Sequence, residues 1–253
     1  EFKPGEFIVM ERFDKFFLKG APKLDRIIVR EFKDSSSMML AFERGEIDVH
    51  SELTDAGLIE RAKKNTNVSV TRMAPAIGPL IWLAFNTKSP KLSDKRVRQA
   101  INHAIDAELI VKRLAKDKAY RAVSWLPSSS PVFDKTMKPY AFDPEKAKKL
   151  LAEAGYPNGF EFEWTTSPNE SWGLPIVEAV LPMLNRVGIK AKAKLIETTV
   201  LTETAMKGTF EAYIGSNVTG PDSLATLKCF HSKTPRTACN YTAFNNPEFD
   251  KTL

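Results

Sequence analysis

The chain has 253 residues, 43% of them hydrophobic and 27% charged, which is the composition of an ordinary globular protein long enough for one large domain or two. Its formal charge of +6 comes from Lys and Arg residues scattered along helical segments, a pattern typical of solvated helix faces rather than of a nucleic-acid surface. No apolar run of about eighteen residues occurs, which excludes a membrane-spanning helix, and no signal-peptide pattern is present.

The first third of the chain alternates short extended and helical patterns. Strands are predicted at 6–12, 24–31, 46–49, 68–72 and 80–85, and helices at 35–45 and 54–64. The three serines at 35–37 are placed to cap the first helix. The apolar residues of segment 24–31 predict that this strand is buried on at least one face. The near-continuous apolar run Leu80–Phe85 predicts a strand buried on both faces.

The clearest helical pattern follows residue 92. We expect Ser93 to be its N-cap and Asp94 to complement the helix dipole. The apolar positions of this helix form one stripe, which consists of Val97, Ala100, Ile101, Ala104 and Ile105. Asp106 is placed to cap a second helix, and Asp143 to cap a third, which Pro144 opens and Gly155 ends.

The remainder continues the alternation of strand and helix. Strands are predicted at 160–165, 191–196 and 210–214, and helices from Pro175 to a stop at Gly188 and at 200–206. Pro182, inside the first of these helices, should kink or shorten it. Strands that alternate with helices indicate an α/β protein with predominantly parallel strand pairing.

The sequence shows no catalytic motif. It contains no nucleophile elbow, no His-Glu-x-x-His and no glycine-rich phosphate loop, and it holds only 12 glycines. The histidines His50, His103 and His231 lie far apart, and His103 falls within a predicted helix, where we expect it to be packed or solvated. We therefore assign no catalytic residue, no metal site and no cofactor.

The two cysteines, Cys229 and Cys239, lie close together in a segment rich in Thr, Lys and Pro. In an oxidising compartment they would close a small disulfide loop. Two free thiols are an alternative, and so is a zinc site that includes His231, although the spacing matches no common zinc module. The disulfide is the interpretation that the sequence favours.

Two segments are candidates for binding a small molecule. Trp125 lies in a Ser/Pro-rich loop, whereas Trp82 and Trp164 lie in strands where core packing is the expected role. The second segment follows the strand at 210–214, at a position where α/β proteins tend to place ligand sites. Its candidate ligand-binding residues are Gly215, Ser216, Asn217, Thr219 and Asp222; a plain surface loop is the alternative.

Several short sequence blocks, each present once, follow one another along the chain. They are the turn and strand at 2–12 with the aromatic segment at 12–17, the helix end at 40–48, Phe85-Asn86-Thr87 with Arg96-Val97-Arg98-Gln99-Ala100-Ile101, the helix at 143–156, and Asn245-Asn246-Pro247-Glu248-Phe249-Asp250. Together these blocks closely resemble the peptide/nickel family of extracytoplasmic solute-binding proteins, which serve ABC importers.

The resemblance implies a fold of two α/β lobes of the periplasmic-binding-protein type, joined by a hinge, with the solute enclosed between them. Residues 1–84 would be part of the larger lobe, 85–241 the second lobe, and 242–253 the start of the return towards the first lobe. Members of the family are considerably longer than this chain. We therefore expect only part of the full fold to be present.

One position departs from the family pattern. Peptide-binding members often carry an Asp four residues before a proline, where it pairs with the free ammonium of the peptide. The matching residue here is Asn217, before Pro221, and an amide cannot supply that charge. The aromatic residue that precedes this Asp in the family is also missing, because Ile214 stands at that position. An opine, a sugar-phosphate conjugate, an oligosaccharide or a modified peptide is thereby favoured over a generic peptide.

The function implied by the resemblance is capture of a peptide-like, opine or sugar-type solute by hinge closure and its delivery to an inner-membrane ABC permease. Such a protein is a monomer, binds no nucleic acid, is not an enzyme, and lies in the periplasm or, in a Gram-positive organism, on a lipid anchor outside the cell. Two alternatives remain: a hydrolase or transferase with an unmarked site, and a basic adaptor for nucleic acid or protein.

Overall fold

A computed structural model describes residues 1–32, 34–50, 53, 55–71, 79–115, 119–128, 130, 132–168, 172–218 and 223–253. Contacts divide the chain into two compact units, residues 1–71 and residues 72–253. Within the described ranges, no helix is long and apolar enough to cross a membrane. The lobe boundaries given above concern the complete protein and stay a prediction.

The first unit contains a three-stranded antiparallel sheet followed by two helices. The strands are β1 (Phe2–Lys3), β2 (Phe7–Glu11) and β3 (Arg26–Arg30), paired in chain order, and the helices are α1 (Ser35–Glu43) and α2 (Ala56–Lys63). The described residues at 46–49 and 68–71 form no strand, contrary to the sequence prediction.

The burial predicted for β3 is wrong. Ile27, Ile28 and Val29 are exposed to between 46% and 49%, and successive side chains of a strand point to opposite faces, so both faces are open in the described chain. The buried apolar residues that the structure describes in this unit are Met39, Ala41 and Ala62. They lie on or beside the helices, which leaves the sheet uncovered.

The second unit contains a mixed four-stranded sheet in the order β4-β7-β5-β6. Its strands are β4 (Pro79–Phe85), β5 (Phe160–Thr166), β6 (Ile189–Leu195) and β7 (Ala212–Val218); β5 is parallel to β6 and β7, and β4 is antiparallel to β7. Parallel pairing predominates in this sheet, as predicted, but not among all the described strands, because the sheet of the first unit is antiparallel. A periodic sequence pattern reports which residues are buried but carries no information on strand direction.

β4 is an edge strand of the described sheet, because it pairs only with β7. Ala84 is its one fully buried residue among 80–85, and Ile81 is 36% exposed, so burial on both faces is not observed. Leu83 and Phe85 pack into the core on one face of the sheet, and Trp82 and Ala84 into a smaller cluster on the other. The strand is apolar because each of its faces packs against apolar residues. Most of its side chains are nevertheless only partly buried.

The helices of the second unit cover this sheet. They are α3 (Lys95–Ala104), α4 (Ala107–Ala115), α5 (Pro144–Glu153), α6 (Gly173–Asn185), α7 (Thr198–Lys207), α8 (Ser223–Lys228) and α9 (Pro247–Asp250). The whole predicted stripe of α3 is buried in the larger core, together with Trp164, which is 0% exposed. α6 continues past Pro182 to Asn185, so the proline does not shorten it.

Aspartates rather than serines begin the helices. The carboxylate of Asp34 accepts the backbone N–H of Ser37 at 2.8 Å, and that of Asp94 accepts the N–H of Arg96 at 2.7 Å. The predicted caps at 35–37 and at Ser93 are therefore each displaced by one residue. An ionised acceptor also interacts favourably with the helix dipole, which a hydroxyl does not. Asp106 and Asp143 cap α4 and α5 as predicted.

We predict that Gly159→Ala destabilises the second unit more than Gly155→Ala. Both glycines have left-handed backbone, with φ of +73° and +90°, so both variants incur about 1–2 kcal/mol of backbone strain. A Cβ at Gly159 would also lie 1.8 Å from the carbonyl oxygen of Gly188, whereas nothing lies within 4 Å of a Cβ at Gly155. Urea unfolding of the two variants should differ by a further 1–3 kcal/mol or so; equal losses would contradict the close contact.

Candidate functional site

The carboxyl ends of β5, β6 and β7 lie along one edge of the sheet, because these strands are parallel. This edge is called the carboxyl edge below. It is where open α/β sheets place their ligands, at the ends of the strands. The predicted candidates Gly215, Ser216 and Asn217 occupy the last half of β7 at this edge, whereas Thr219 and Asp222 lie outside the described residues.

Beside the carboxyl edge, Trp82, Trp125, Tyr213 and Phe230 form an aromatic cluster. The ring of Trp82 lies 5.3 Å from that of Trp125 and 5.1 Å from that of Tyr213, with the latter pair edge to face. The ring of Phe230 lies 4.7 Å from that of Trp125. Trp125 is half-buried, so the loop predicted from its Ser/Pro composition presents an indole that is packed on two neighbours and still partly accessible.

Gly215 gives Trp82 the space that it occupies. The two residues are opposite one another in the β4–β7 register, and a Cβ at Gly215 would lie 2.5 Å from the Cη2 atom of Trp82. The indole therefore lies across the backbone of β7, and a larger residue at 215 would displace it. The sequence pointed to Gly215 as a small loop residue; its steric role became visible only when the strand register was known.

Polar contacts at the end of β4 hold the segment that carries Phe230. The side chain of Asn86 donates to the carbonyls of Gly208 and Phe210 at 3.1 and 2.8 Å, and its Oδ1 accepts from Arg236 at 2.7 Å. Arg236 also donates to the carbonyl of Tyr241. An amide both donates and accepts, so a carboxylate in place of Asn86 would lose two of these bonds.

A disulfide closes the same segment. Cys229 and Cys239 are bonded in the structure, with their Cα atoms 5.1 Å apart. Phe230 directly follows Cys229, and Arg236 lies within the closed loop, so the loop is fixed both covalently and through Asn86. The Nδ1 atom of His231 lies 3.8 Å from the Oδ1 atom of Asp250. The described residues contain no group of three or more His, Cys, Asp or Glu side chains that could hold a metal ion.

Tyr213 has an unusual environment. Its side chain is 4% exposed, and its hydroxyl has no hydrogen-bond partner among the described residues. Burial raises the pKa of this phenol above its ordinary value, with Tyr241 as a smaller cause in the same direction. Tyr213 therefore packs as a neutral aromatic beneath Trp82.

A second group of polar residues at the carboxyl edge was missed by the sequence analysis. Thr166 and Ser167, at the end of β5, are both 0% exposed, and Ser167 is hydrogen-bonded to the hydroxyl of Thr198 at 2.9 Å. A cavity of about 380 Å³ opens beside them, lined by Pro168, Leu195, Ile196, Glu197 and Val200. The signal was available: small polar residues follow β5 directly, as they follow β7.

The remaining predictions about single residues concern Trp164 and His103. Trp164 is a core residue, as expected. His103 is 5% exposed and its Nδ1 lies 2.8 Å from the carbonyl oxygen of Ala141, so it is packed rather than solvated. The structure thus brings together Trp125, Trp82 and Gly215 at one place. It does not describe the side chain of Asn217.

Comparison with known proteins gives three kinds of match. The family model for bacterial extracellular solute-binding proteins, family 5 Middle, matches residues 1–237. Heme-binding protein A of Haemophilus influenzae is 28% identical over 245 residues, 94% of this chain and 44% of that protein. Glutathione-binding protein GsiB of Escherichia coli K12 is 30% identical over 258 residues, 98% of this chain and 49% of that protein.

Among solved structures, the ABC transporter-associated periplasmic binding protein DppA from Helicobacter pylori, in complex with the peptide STSA, superposes with a TM-score of 0.89 at 25% identity. The superposition covers 99% of this chain and 49% of that one. The chain thus spans about half the length of the relatives it matches. This agrees with the expectation that only part of a two-lobe fold is present.

We predict that Gly215→Ala disrupts the contact between Trp82 and Trp125. The added methyl group must displace the indole of Trp82, at a cost of about 1–3 kcal/mol in unfolding free energy. The near-ultraviolet circular dichroism of the paired indoles should decrease in parallel. Ser216→Ala, the matched change at the exposed neighbouring residue, should preserve the spectrum; an unchanged spectrum in Gly215→Ala would show that the ring does not lie over residue 215.

We predict that Tyr213→Phe alters the stability of the protein at alkaline pH only. At neutral pH the variant loses a hydroxyl without a partner, so its unfolding free energy should change by less than about 1 kcal/mol. Because the folded state raises the pKa of Tyr213 above 10.0, the unfolded chain ionises first, and wild-type stability is lost as the pH rises past that value. Urea titrations at a series of pH values should show that the unfolding free energy of the wild type decreases above this pH relative to that of the variant. If the two proteins have the same pH dependence, Tyr213 is not a buried neutral phenol.

Proposed function

Because the chain belongs to the family 5 bacterial extracellular solute-binding proteins, we propose that the complete protein is the solute-binding component of an ABC importer. It captures a small molecule between two lobes and delivers it to a membrane permease. The family is one of extracellular proteins, which supports a location in the periplasm or on a lipid anchor outside the cell. The named relatives are binding proteins rather than enzymes, which supports binding without catalysis.

The observation that carries the proposal within this chain is the aromatic cluster at the carboxyl edge. Trp125 contacts Trp82, with ring centres 5.3 Å apart, and Phe230, with ring centres 4.7 Å apart, and is still partly exposed. A large aromatic surface that is fixed in the free protein binds a ligand with little loss of side-chain entropy. Indole faces suit the apolar or planar parts of a solute.

The polar residues of the site are proposed to be Ser216, Asn217, Thr219 and Asp222, with Gly215 and Trp125 beside them. Asn217 stands where an acidic residue would pair with an ammonium group, so we favour a solute whose recognition does not require that pair. Opines, sugar-type solutes and modified peptides fit this requirement. The names of the relatives include a heme-binding and a glutathione-binding protein, so membership of the family does not fix the solute.

Native mass spectrometry of the complete protein, purified without refolding, is the direct test. A co-purified molecule of defined mass would identify the solute class. An empty protein would be followed by thermal-shift measurements with haem, glutathione, short peptides, opines and oligosaccharides. Binding stabilises the folded state by mass action, so a ligand at a hundred times its Kd adds about 2.7 kcal/mol. No shift with any of them, and no lobe closure, would overturn the proposal.

We predict that Trp125→Ala weakens solute binding by about tenfold or more, because buried aromatic anchors dominate binding energy. The affinity for the solute found above should be measured by isothermal titration calorimetry. Phe142→Ala, a truncation of an aromatic that is 43% exposed, is the matched control and should bind as wild type does. Equal affinities for all three proteins would remove Trp125 from the site.

A further inference from the structure

A second cavity shares no lining residue with the cavity at the carboxyl edge. It has a volume of about 310 Å³ and is formed by α3, the segment 138–141 and α5. Its polar lining consists of Gln99 and His103 from α3, Lys138 and Tyr140 from the connecting segment, and Lys146 from α5. None of these residues contributes to the aromatic cluster, so the cavity needs a separate explanation.

His103 has a defined tautomer. Its Nδ1 lies 2.8 Å from the carbonyl oxygen of Ala141, which can only accept, so Nδ1 carries the hydrogen. The edge-to-face contact with Tyr140, whose ring centre is 5.2 Å away, further fixes the ring. In the neutral imidazole, Nε2 is then an acceptor, and it has no hydrogen-bond partner in the part of the chain that the structure describes. This nearly buried side chain therefore presents an acceptor to the cavity.

Two of the other polar side chains of the cavity, Lys138 and Lys146, can only donate, whereas the amide of Gln99 and the hydroxyl of Tyr140 can donate or accept. Within the described ranges, neither Lys138 nor Lys146 has a carboxylate in ion-pair contact, and the amide of Gln99 makes no hydrogen bond. The nearby carboxylates are used elsewhere: Asp143 accepts the backbone N–H of Lys146 at 2.9 Å, and Glu145 pairs with Lys148 at 2.9 Å. Two lysines without a carboxylate partner thus line one cavity with an amide, a phenol and an imidazole.

We propose that this cavity binds hydrogen phosphate. The oxygens of the anion accept from Lys138, Lys146 and the amide of Gln99, and its own O–H donates to Nε2 of His103. Sulfate has the same shape and charge but no O–H group near neutral pH, so it offers no donor to Nε2 of a neutral imidazole. A simple carboxylate has the same deficiency. The proposal is independent of the function proposed for the carboxyl edge.

The test compares phosphate with sulfate by calorimetry on the complete protein, at neutral pH and constant ionic strength. We expect phosphate to bind with a Kd of about 1 mM or lower, and about tenfold more tightly than sulfate, because the sulfate complex lacks the hydrogen bond from the anion to Nε2. Equal affinities for the two anions, or no phosphate binding at all, would overturn the proposal.

Charge variants separate a specific site from general attraction of anions. The double variant Lys138→Met with Lys146→Met should lose phosphate affinity by more than tenfold. The matched control is Lys135→Met with Lys149→Met, which removes the same charge from the same segment and the same helix outside the cavity lining. Its affinity should stay within about twofold of wild type. An equal loss in both variants would show a general electrostatic effect and overturn the site.

A measurement on the unmodified protein avoids variants that fail to fold. The chain has three histidines, so the side-chain nitrogen resonances of His103 can be assigned by comparison with His50→Gln and His231→Gln. Phosphate should shift the Nε2 resonance of His103, whereas sulfate should not. An unmoved resonance at saturating phosphate would exclude His103 as the acceptor and overturn the proposal.

Discussion

The antiparallel pairing of β4 with β7 is the interaction on which the rest of the second unit depends. It joins residues 79–85 to residues 212–218, which are more than a hundred positions away in sequence. The register sets Trp82 against Gly215, and this contact directs the indole across β7 towards Trp125. A shift of the register by one residue would turn every side chain of β4 to the other face of the sheet.

The recognisable Phe-Asn-Thr block at the end of β4 has a structural role in this arrangement. Asn86 is 6% exposed and binds both the entry to β7 and Arg236. The hydroxyl of Thr87 lies 2.8 Å from the carbonyl oxygens of Thr242 and Ala243. The block therefore fixes the disulfide-closed segment, and with it Phe230, against the sheet. Buried polar groups that are fully hydrogen-bonded specify a single arrangement, which suits a site that must be ready before its ligand arrives.

The two sites proposed in the second unit differ in chemistry. At the carboxyl edge, aromatic faces predominate, and the nearby phenol of Tyr213 is held neutral by burial. The cavity between α3 and α5 is lined by two lysines, a glutamine, a tyrosine and a histidine as its polar residues. The first arrangement suits apolar or planar parts of a solute, and the second suits a small oxyanion. In each, helices or strands hold one side of the arrangement, while the irregular segment between α4 and α5 supplies Trp125 to the first and Lys138 and Tyr140 to the second.

The sequence by itself determined the local structure and the class of protein. The stripe of α3, the caps of α4 and α5 and the positions of β5 to β7 follow from periodicity and capping, which are properties of neighbouring residues. Trp125 and Gly215 could be singled out as candidates from loop composition and from their place after a strand. The family could also be recognised, because its blocks are short and contiguous.

Only the tertiary structure decided how these parts meet. It placed β4 at an edge and antiparallel to β7, left both faces of β3 exposed, and used Asp34 and Asp94 as caps in place of the adjacent serines. It also brought Thr166 and Ser167 to the carboxyl edge, and His103 beside Lys138 and Lys146. Apart from the two caps, these contacts join residues that are distant in the chain. Their free energies depend on packing between elements, which no local pattern of residues encodes.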